Sequence, residues 1–98
     1  MINIYTLKGC SQCKWLVEEL NKERLEYRNF DADEHDDLAT RLEDLLNTTL
    51  YPIVHIDRGS TDVYFISEEI NHRFFDTTIS ILNYKSIPHL VQLIKTHI

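Results

Sequence analysis

A strand-like pattern and a helix-like pattern follow one another at the start of the chain. Apolar and polar side chains alternate over residues 2–7, which predicts a short strand. The spacing then changes, because apolar residues recur at intervals of three and four over 13–20, and this predicts a helix over 10–23. Alternation returns over 25–30. A strand there would lie parallel to the first, since a helix crosses between the two.

Two more helices are predicted further along the chain. We expect one to begin at Asp36 or Asp37, with carboxylates in its first turn, and to be ended by the segment 47–49, Asn-Thr-Thr. We expect the other to close the chain, with Ser86 as its cap and Pro88 in its first turn. Their apolar faces are Leu38, Leu42, Leu45 and Leu46 in the former, and Ile87, Leu90, Val91, Ile94 and Ile98 in the latter.

The region between these helices predicts strands. Residues 50–57 and 62–66 are rich in β-branched and aromatic side chains, and the turn residues at 58–61 predict a hairpin loop between them. The segment 67–84 is longer than a hairpin needs, which suggests an insertion. Within it, 77–82 is either a further strand or the true partner of the strand at 50–57.

Length and charge narrow the class of protein. The 98 residues suffice for one domain with one core, over residues 1–98. A net charge of −6 argues against nucleic acid or an anionic membrane as a partner. No apolar run approaches the roughly 20 residues of a membrane-spanning helix, and the first residues resemble a strand more than a signal peptide. We therefore expect a cytoplasmic protein, and a monomer.

Both cysteines lie at the junction between the first strand and the first helix. Unpaired N–H groups and the positive end of the helix dipole favour a thiolate at Cys10, and Lys8 and Lys14 add positive charge. Cys13 belongs to the apolar stripe and should be more shielded. Such a pair suits disulfide exchange, in which Cys10 attacks a disulfide and Cys13 resolves the mixed disulfide.

Metal ligation is the main alternative for the cysteines. A structural zinc site needs four ligands, but the chain offers only two cysteines and five histidines without paired spacing. An iron–sulfur cluster shared between two chains would need fewer ligands from each. The rival to an enzyme is therefore a non-catalytic binding or adaptor module that uses its cysteines for metal or cluster ligation.

The order of these elements resembles the thioredoxin fold in its short glutaredoxin version. The most specific carriers of the resemblance are the segment 8–13, Lys-Gly-Cys-Ser-Gln-Cys, and the dipeptide Tyr51-Pro52. The resemblance implies an α/β domain with a central mixed sheet of four strands flanked by three helices. The segment before the last helix would be an addition to that fold.

The resemblance also implies an activity and roles for individual residues. The chain would be a thiol–disulfide oxidoreductase with Cys10 as nucleophile and Cys13 as resolving cysteine. Pro52 would be a cis-proline beside the disulfide, the backbone of Tyr51 would pair with the bound thiol's backbone, and Lys8 would attract a glutathione carboxylate. Disulfide-containing proteins would be the substrates, and glutathione the reductant, with no tightly bound cofactor.

Two departures bear on the electron donor. Glutaredoxins usually carry Pro-Tyr between the cysteines, whereas Ser11-Gln12 here is more similar to small redoxins that donate electrons to ribonucleotide reductase. Glutaredoxins also have a glycine pair and an acidic residue before the last helix, where they hold the glutamyl end of glutathione. The matching residues 82–86 contain no glycine. Thioredoxin reductase therefore stands beside glutathione as a candidate donor, and ribonucleotide reductase as a candidate client.

Overall fold

Three helices and five strands make up the described part of the chain, residues 1–67 and 79–98 of a computed structural model. In chain order they are β1 (Ile2–Thr6), α1 (Ser11–Lys22), β2 (Tyr27–Asp31), α2 (Asp36–Leu46), β3 (Ile53–Asp57), β4 (Asp62–Ile66), β5 (Ile79–Asn83) and α3 (Ile87–Thr96). Their order matches the α/β prediction. Within these two ranges, no helix has the length and apolar character needed to cross a membrane.

The strands form one mixed sheet in the order β2-β1-β3-β4-β5. β1 lies parallel to β2 and antiparallel to β3, while β3 and β4 form the predicted antiparallel hairpin. β5 lies parallel to β4 at the edge. Parallel pairing of β1 and β2 follows from the helix that crosses between them.

The predicted count of four strands is wrong, because β5 adds a fifth. Of the alternatives for 77–82, the further strand is correct for the part that is described, and the alternative pairing with β3 is wrong, since β3 pairs with β4. Thr77 and Thr78 lie outside the described residues. So does most of the suggested insertion over 67–84, which stays a prediction.

Helices cover both faces of the sheet. On one face, Leu16 and Leu20 of α1 and Ile87 of α3 pack with Ile4 and Phe65 in the larger cluster. On the other face, leucines of α2 pack against Tyr5, Ile53 and Tyr64 in the smaller cluster. All five residues of β1 are therefore buried, although its sequence alternates. The central strand that leads to the cysteines is held from both sides.

The ends of the helices explain where sequence and structure differ by a few residues. α1 begins at Ser11 with Cys10 as its cap, and the chain leaves it through Arg24 in the left-handed conformation, φ 58°. Because the Leu25 N–H still bonds to the Leu20 carbonyl at 3.1 Å, β2 starts at Tyr27, two residues later than predicted.

Two residues assigned to apolar helix faces are exposed. Leu45 is 48% exposed, because α2 packs through a stripe at intervals of four, Leu38, Leu42 and Leu46, from which Leu45 points away. Ile98 follows the end of α3 and is 60% exposed. The helices themselves are as predicted, and these two assignments are wrong.

Candidate functional site

Cys10 occupies the cap position of α1. Its backbone is extended, with φ −89° and ψ 108°, and its sulfur accepts the N–H of Cys13 at 3.2 Å. The turn before it uses Gly9 at φ 75°, a conformation that strains other residues. Cys10 therefore lies at the beginning of a helix. The residue is half-buried, and part of it is exposed to solvent.

The surroundings of Cys10 favour a negative charge on its sulfur. The first turn of α1 holds N–H groups without helical partners and no acidic residue, and the helix dipole adds positive potential there. Lys8 and Lys14 are exposed on either side of the cysteine in sequence. A thiolate at this position is the form that attacks disulfides.

Cys13 lies one helical turn further on and is only 3% exposed. It faces the sheet on the same stripe as Leu16 and Leu20, as its place in the apolar pattern indicated. The structure contains the Cys10–Cys13 disulfide, with the two Cα atoms 5.2 Å apart. The pair thus joins a half-buried residue, Cys10, to a buried one, Cys13.

A groove of about 360 Å³ opens beside the cysteines. It is lined by Thr6, Leu7, Gly9, Cys10, Ser11, Cys13, Lys14, Val17 and Asn29. Two of these residues are bonded to each other, since the Thr6 hydroxyl donates to the Asn29 side-chain oxygen at 2.7 Å. The sequence prediction missed Thr6 and Asn29. The available signal was that parallel strands end at the same edge of a sheet, which brings the ends of β1 and β2 together.

The Tyr51–Pro52 segment reaches the same end of the sheet from the other side of β1. Tyr5 pairs with Ile53, so Pro52 follows in register opposite Thr6. The Tyr51–Pro52 peptide is cis, and Pro52 is buried. Among the described residues, those lining the groove do not include Lys8, Tyr51 or Pro52. Their expected roles in substrate binding therefore stay predictions.

Tyr51 is held by α2 through its side chain. Its hydroxyl donates to the Glu43 carboxylate at 2.7 Å. Burial, and then the hydrogen bond and negative charge of Glu43, raise the pKa of Tyr51 well above its usual range. The phenol therefore stays protonated and keeps donating at any physiological pH.

Tyr84 is a neighbour of this segment that the sequence prediction did not identify. Its hydroxyl donates to the Pro52 carbonyl at 2.6 Å, and its backbone N–H donates to the Ile66 carbonyl at 2.9 Å. It is 4% exposed, and burial raises the pKa of Tyr84 to about 12 although the Ser67 hydroxyl acts in the opposite direction. A tyrosine just before the last helix gave no signal of a contact 32 residues away.

The described residues provide no metal site. Over 1–67 and 79–98, no three His, Cys, Asp or Glu side chains come close enough to hold a metal ion together. His55, inside β3, instead pairs with Asp62 at 2.8 Å and stacks on Tyr64 with ring centroids 4.5 Å apart. This histidine belongs to the sheet face opposite α1, away from the cysteines.

Comparison with known proteins adds one family match to these geometric observations. No curated protein and no solved structure matches the chain. The glutaredoxin family model matches residues 2–59, which include both cysteines, Tyr51 and Pro52. Three helices around a mixed sheet are the thioredoxin-like fold that this match implies. Because the match covers more than half of the 98 residues, the chain belongs to the glutaredoxin family.

Proposed function

We propose that the protein is a thiol–disulfide oxidoreductase that reduces disulfide bonds of other proteins. The supporting observation is the asymmetry of the cysteine pair. Cys10 caps α1 in a half-buried position, and Cys13 is 3% exposed and bonded to it. These features support a role for Cys10 as the nucleophile and for Cys13 as a shielded second sulfur within bonding reach.

The reaction proceeds in two exchanges. The Cys10 thiolate attacks one sulfur of the client disulfide, which forms a mixed disulfide and releases the other client sulfur as a thiolate. The Cys13 thiolate then attacks the Cys10 sulfur, which releases the second client thiolate and forms the Cys10–Cys13 disulfide. Two electrons have moved to the client, and both of its thiolates take up protons according to pH. A thiol or dithiol donor returns two electrons to the protein.

The Tyr51–Pro52 segment is proposed as the place where the client backbone binds. Within residues 1–67 and 79–98, the backbone N–H and C=O of Tyr51 make no hydrogen bond. An extended client segment supplies the partners for such groups by pairing as an added strand. We assign Lys8 to attraction of a client or glutathione carboxylate, since it is exposed beside Cys10.

The electron donor is proposed to be glutathione or thioredoxin reductase. Glutaredoxins generally use glutathione, whereas the absence of a glycine pair in 82–86 favours the reductase. Two coupled assays separate the donors. Reduction of a disulfide peptide is followed through NADPH consumption, once with glutathione and its reductase and once with thioredoxin reductase. Activity with neither donor and none with dithiothreitol would refute the proposed function.

The setting of this activity is also a proposal. We propose a monomer acting in the cytoplasm, where cellular reductants keep thiols reduced and a close cysteine pair is more often catalytic than structural. Ribonucleotide reductase is the proposed client, on the similarity of Ser11-Gln12 to small redoxins that serve it. Turnover of oxidised ribonucleotide reductase by the reduced protein tests that choice directly.

The adaptor alternative makes an opposite prediction. A metal-ligating module would carry stoichiometric metal or absorb visible light as a cluster when freshly purified, and it would lack reductase activity. Metal analysis and an absorption spectrum of the purified protein therefore discriminate between the two functions. We expect no stoichiometric metal, together with one disulfide formed per reduced client.

A further inference from the structure

The ends of β3 and β4 are joined by a residue that belongs to neither strand. The antiparallel pairing of these strands stops at Val54 and Phe65. Beyond that point Tyr84 connects the two strand ends. Its N–H donates to the Ile66 carbonyl at 2.9 Å, and its hydroxyl donates to the Pro52 carbonyl at 2.6 Å. Asn83 extends the connection, because its side-chain amide donates to the carbonyls of Ile66 and Ser67.

The Pro52 carbonyl depends on this contact. In an antiparallel pair, the backbone N–H and C=O groups of successive residues point alternately toward the partner strand and away from it. In β3, the groups of Asp57 point toward β1, since the Asp57 N–H binds the Met1 carbonyl. By this alternation, the carbonyl of Pro52 points away from β1 and toward the β4 side. Tyr84 meets it there, inside the protein. Removal of the hydroxyl would leave a buried carbonyl without this partner, an arrangement that proteins avoid.

The same segment is held on its other side by α2. Glu43 accepts the Tyr51 hydroxyl at 2.7 Å. Two distant residues therefore hold the dipeptide between them, one through the Tyr51 side chain and one through the Pro52 backbone. The free backbone groups of Tyr51 lie between these two attachments.

We propose that Tyr84 is a positioning residue for peptide clients: by binding the Pro52 carbonyl, it fixes the Tyr51 backbone in the orientation that an extended client segment pairs with. The inference rests on the proposed function. A segment ordered in advance does not have to be ordered when the client binds, and affinity rises accordingly. Tyr84 touches neither sulfur nor client, so its effect reaches the reaction only through Pro52 and Tyr51.

This role predicts selectivity between two kinds of disulfide. A peptide disulfide uses the Tyr51 backbone, whereas bis(2-hydroxyethyl) disulfide has no peptide groups to pair with it. Tyr84→Phe removes one oxygen atom and keeps the buried ring. We expect it to lower kcat/KM for a disulfide peptide about tenfold, mainly through KM, since weaker pairing of the peptide backbone lowers the affinity for the peptide. We expect kcat/KM for the small disulfide to change less than about twofold.

Tyr27→Phe is the matched control. It also removes one phenol hydroxyl and one hydrogen bond, from Tyr27 to Asn21 at 2.9 Å, but on the edge strand β2. Both variants and the wild-type protein, reduced beforehand and freed of excess thiol, are mixed with each disulfide over a range of concentrations. The single tryptophan, Trp15, follows Cys13 by two residues, is 38% exposed and serves as the fluorescence probe of the oxidation. Thermal unfolding of each variant establishes that the assay temperature leaves it folded.

The outcomes separate the inference from the function it rests on. A peptide-specific loss in Tyr84→Phe, with Tyr27→Phe unchanged, supports the positioning role. An equal loss for both disulfides, or no loss for the peptide, overturns the positioning role while the reductase function stands. A wild-type protein that reduces neither disulfide refutes the proposed function itself, and the inference falls with it.

A second measurement serves if Tyr84→Phe does not fold. A variant that keeps Tyr84 and carries both Cys10→Ser and Cys13→Ser should bind the peptide without reacting. Its amide NMR signals report where the peptide binds. We expect peptide addition to shift the Tyr51 amide signal and the hydroxyl proton signal of Tyr84, and to leave the Tyr27 amide unchanged. If saturating peptide shifts neither Tyr51 nor Tyr84, the positioning role is wrong.

Discussion

The two halves of the candidate site are built in different ways. The thiol half is local, because Cys10, Cys13 and the turn at Gly9 lie within five consecutive residues and the helix they begin supplies the positive field. The half that we propose to bind clients is assembled from three distant parts of the chain, since Tyr51 and Pro52 are bonded to Glu43 in α2 and to Tyr84 before α3. We call it the client-binding half.

The difference implies that the two halves fail differently. Chemistry at Cys10 depends on a helix beginning there, and α1 is held by buried leucines in the larger core cluster. Loss of a distant anchor should therefore leave thiol reactivity intact and weaken peptide binding. Loss of a sulfur should do the reverse.

Cys10→Ser has the largest expected effect. A serine hydroxyl is a far weaker nucleophile than a thiolate, so reduction of every disulfide should fall at least about a thousandfold. Steady-state NADPH consumption measures it, with peptide binding by NMR as the control that should persist. If the variant retained full activity, Cys10 would not be the nucleophile.

Cys13→Ser should stop the reaction at the mixed disulfide. Cys10 still attacks, but no second sulfur releases the client, so turnover through the dithiol route should fall more than about tenfold. Mass spectrometry without added reductant should then show the protein carrying one client peptide on Cys10. Absence of that adduct, with reductase turnover unchanged, would exclude Cys13 as the resolving cysteine.

Alkaline pH should act on Tyr84 without titrating the sulfurs when the protein is oxidised, since disulfide cysteines do not titrate. The folded protein holds the Tyr84 proton more tightly than the unfolded chain does, with a pKa raised from 10.0 to about 12. Stability from this residue is therefore complete below pH 10 and is lost as pH rises toward 12. The loss should approach about 2–3 kcal/mol in the free energy of unfolding.

Urea unfolding of the oxidised protein at several pH values between 9 and 12 measures this loss. Tyr84→Phe has no proton to release and should show a shallower decline than the wild-type protein. Tyr64, whose pKa burial and then Asp62 raise to about 12, contributes equally to both proteins and cancels in the comparison. Parallel declines in the two proteins would contradict the burial of a protonated Tyr84.

Glu43→Gln has the smallest expected effect. Glutamine still offers an oxygen to Tyr51 but without charge, and the weaker bond should raise KM for a disulfide peptide no more than about threefold. The pKa of Tyr51 should fall toward its ordinary value. Asp44→Asn, on an exposed position of the same helix, removes the same charge without touching Tyr51 and is the matched control. Equal effects of the two variants would assign the change to overall charge.

The part of the site that sequence predicts is the local half. Apolar residues recur at every second position before the cysteines and at intervals of three and four after them, which places both cysteines at a strand–helix junction. Neighbouring residues suffice for that inference. The hairpin and the three helices follow from similar local patterns. The sequence does not indicate the contact of Tyr84 with Pro52, because it depends on the register of β3 and on where β4 stops pairing.

The edge of the sheet shows the same limit. β5 consists of half-buried and exposed residues, whereas four of the five residues of β4 are buried, so β5 gives the weaker hydrophobic signal. Parallel pairing with β4 is a long-range interaction, and short-range periodicity does not determine it. The exposed Leu45 is a similar case, since neighbouring leucines on a helix do not all reach the core.

The disulfide encloses a single helical turn, with only Ser11 and Gln12 between its two cysteines. Closing so small a ring confines the unfolded chain little, and Leu16 and Leu20, which pack α1 into the core, lie outside the ring. Oxidised and reduced forms should therefore share nearly the same outline. We therefore expect a reductase that acts on the oxidised protein to distinguish it from the reduced protein by contact with the sulfurs themselves.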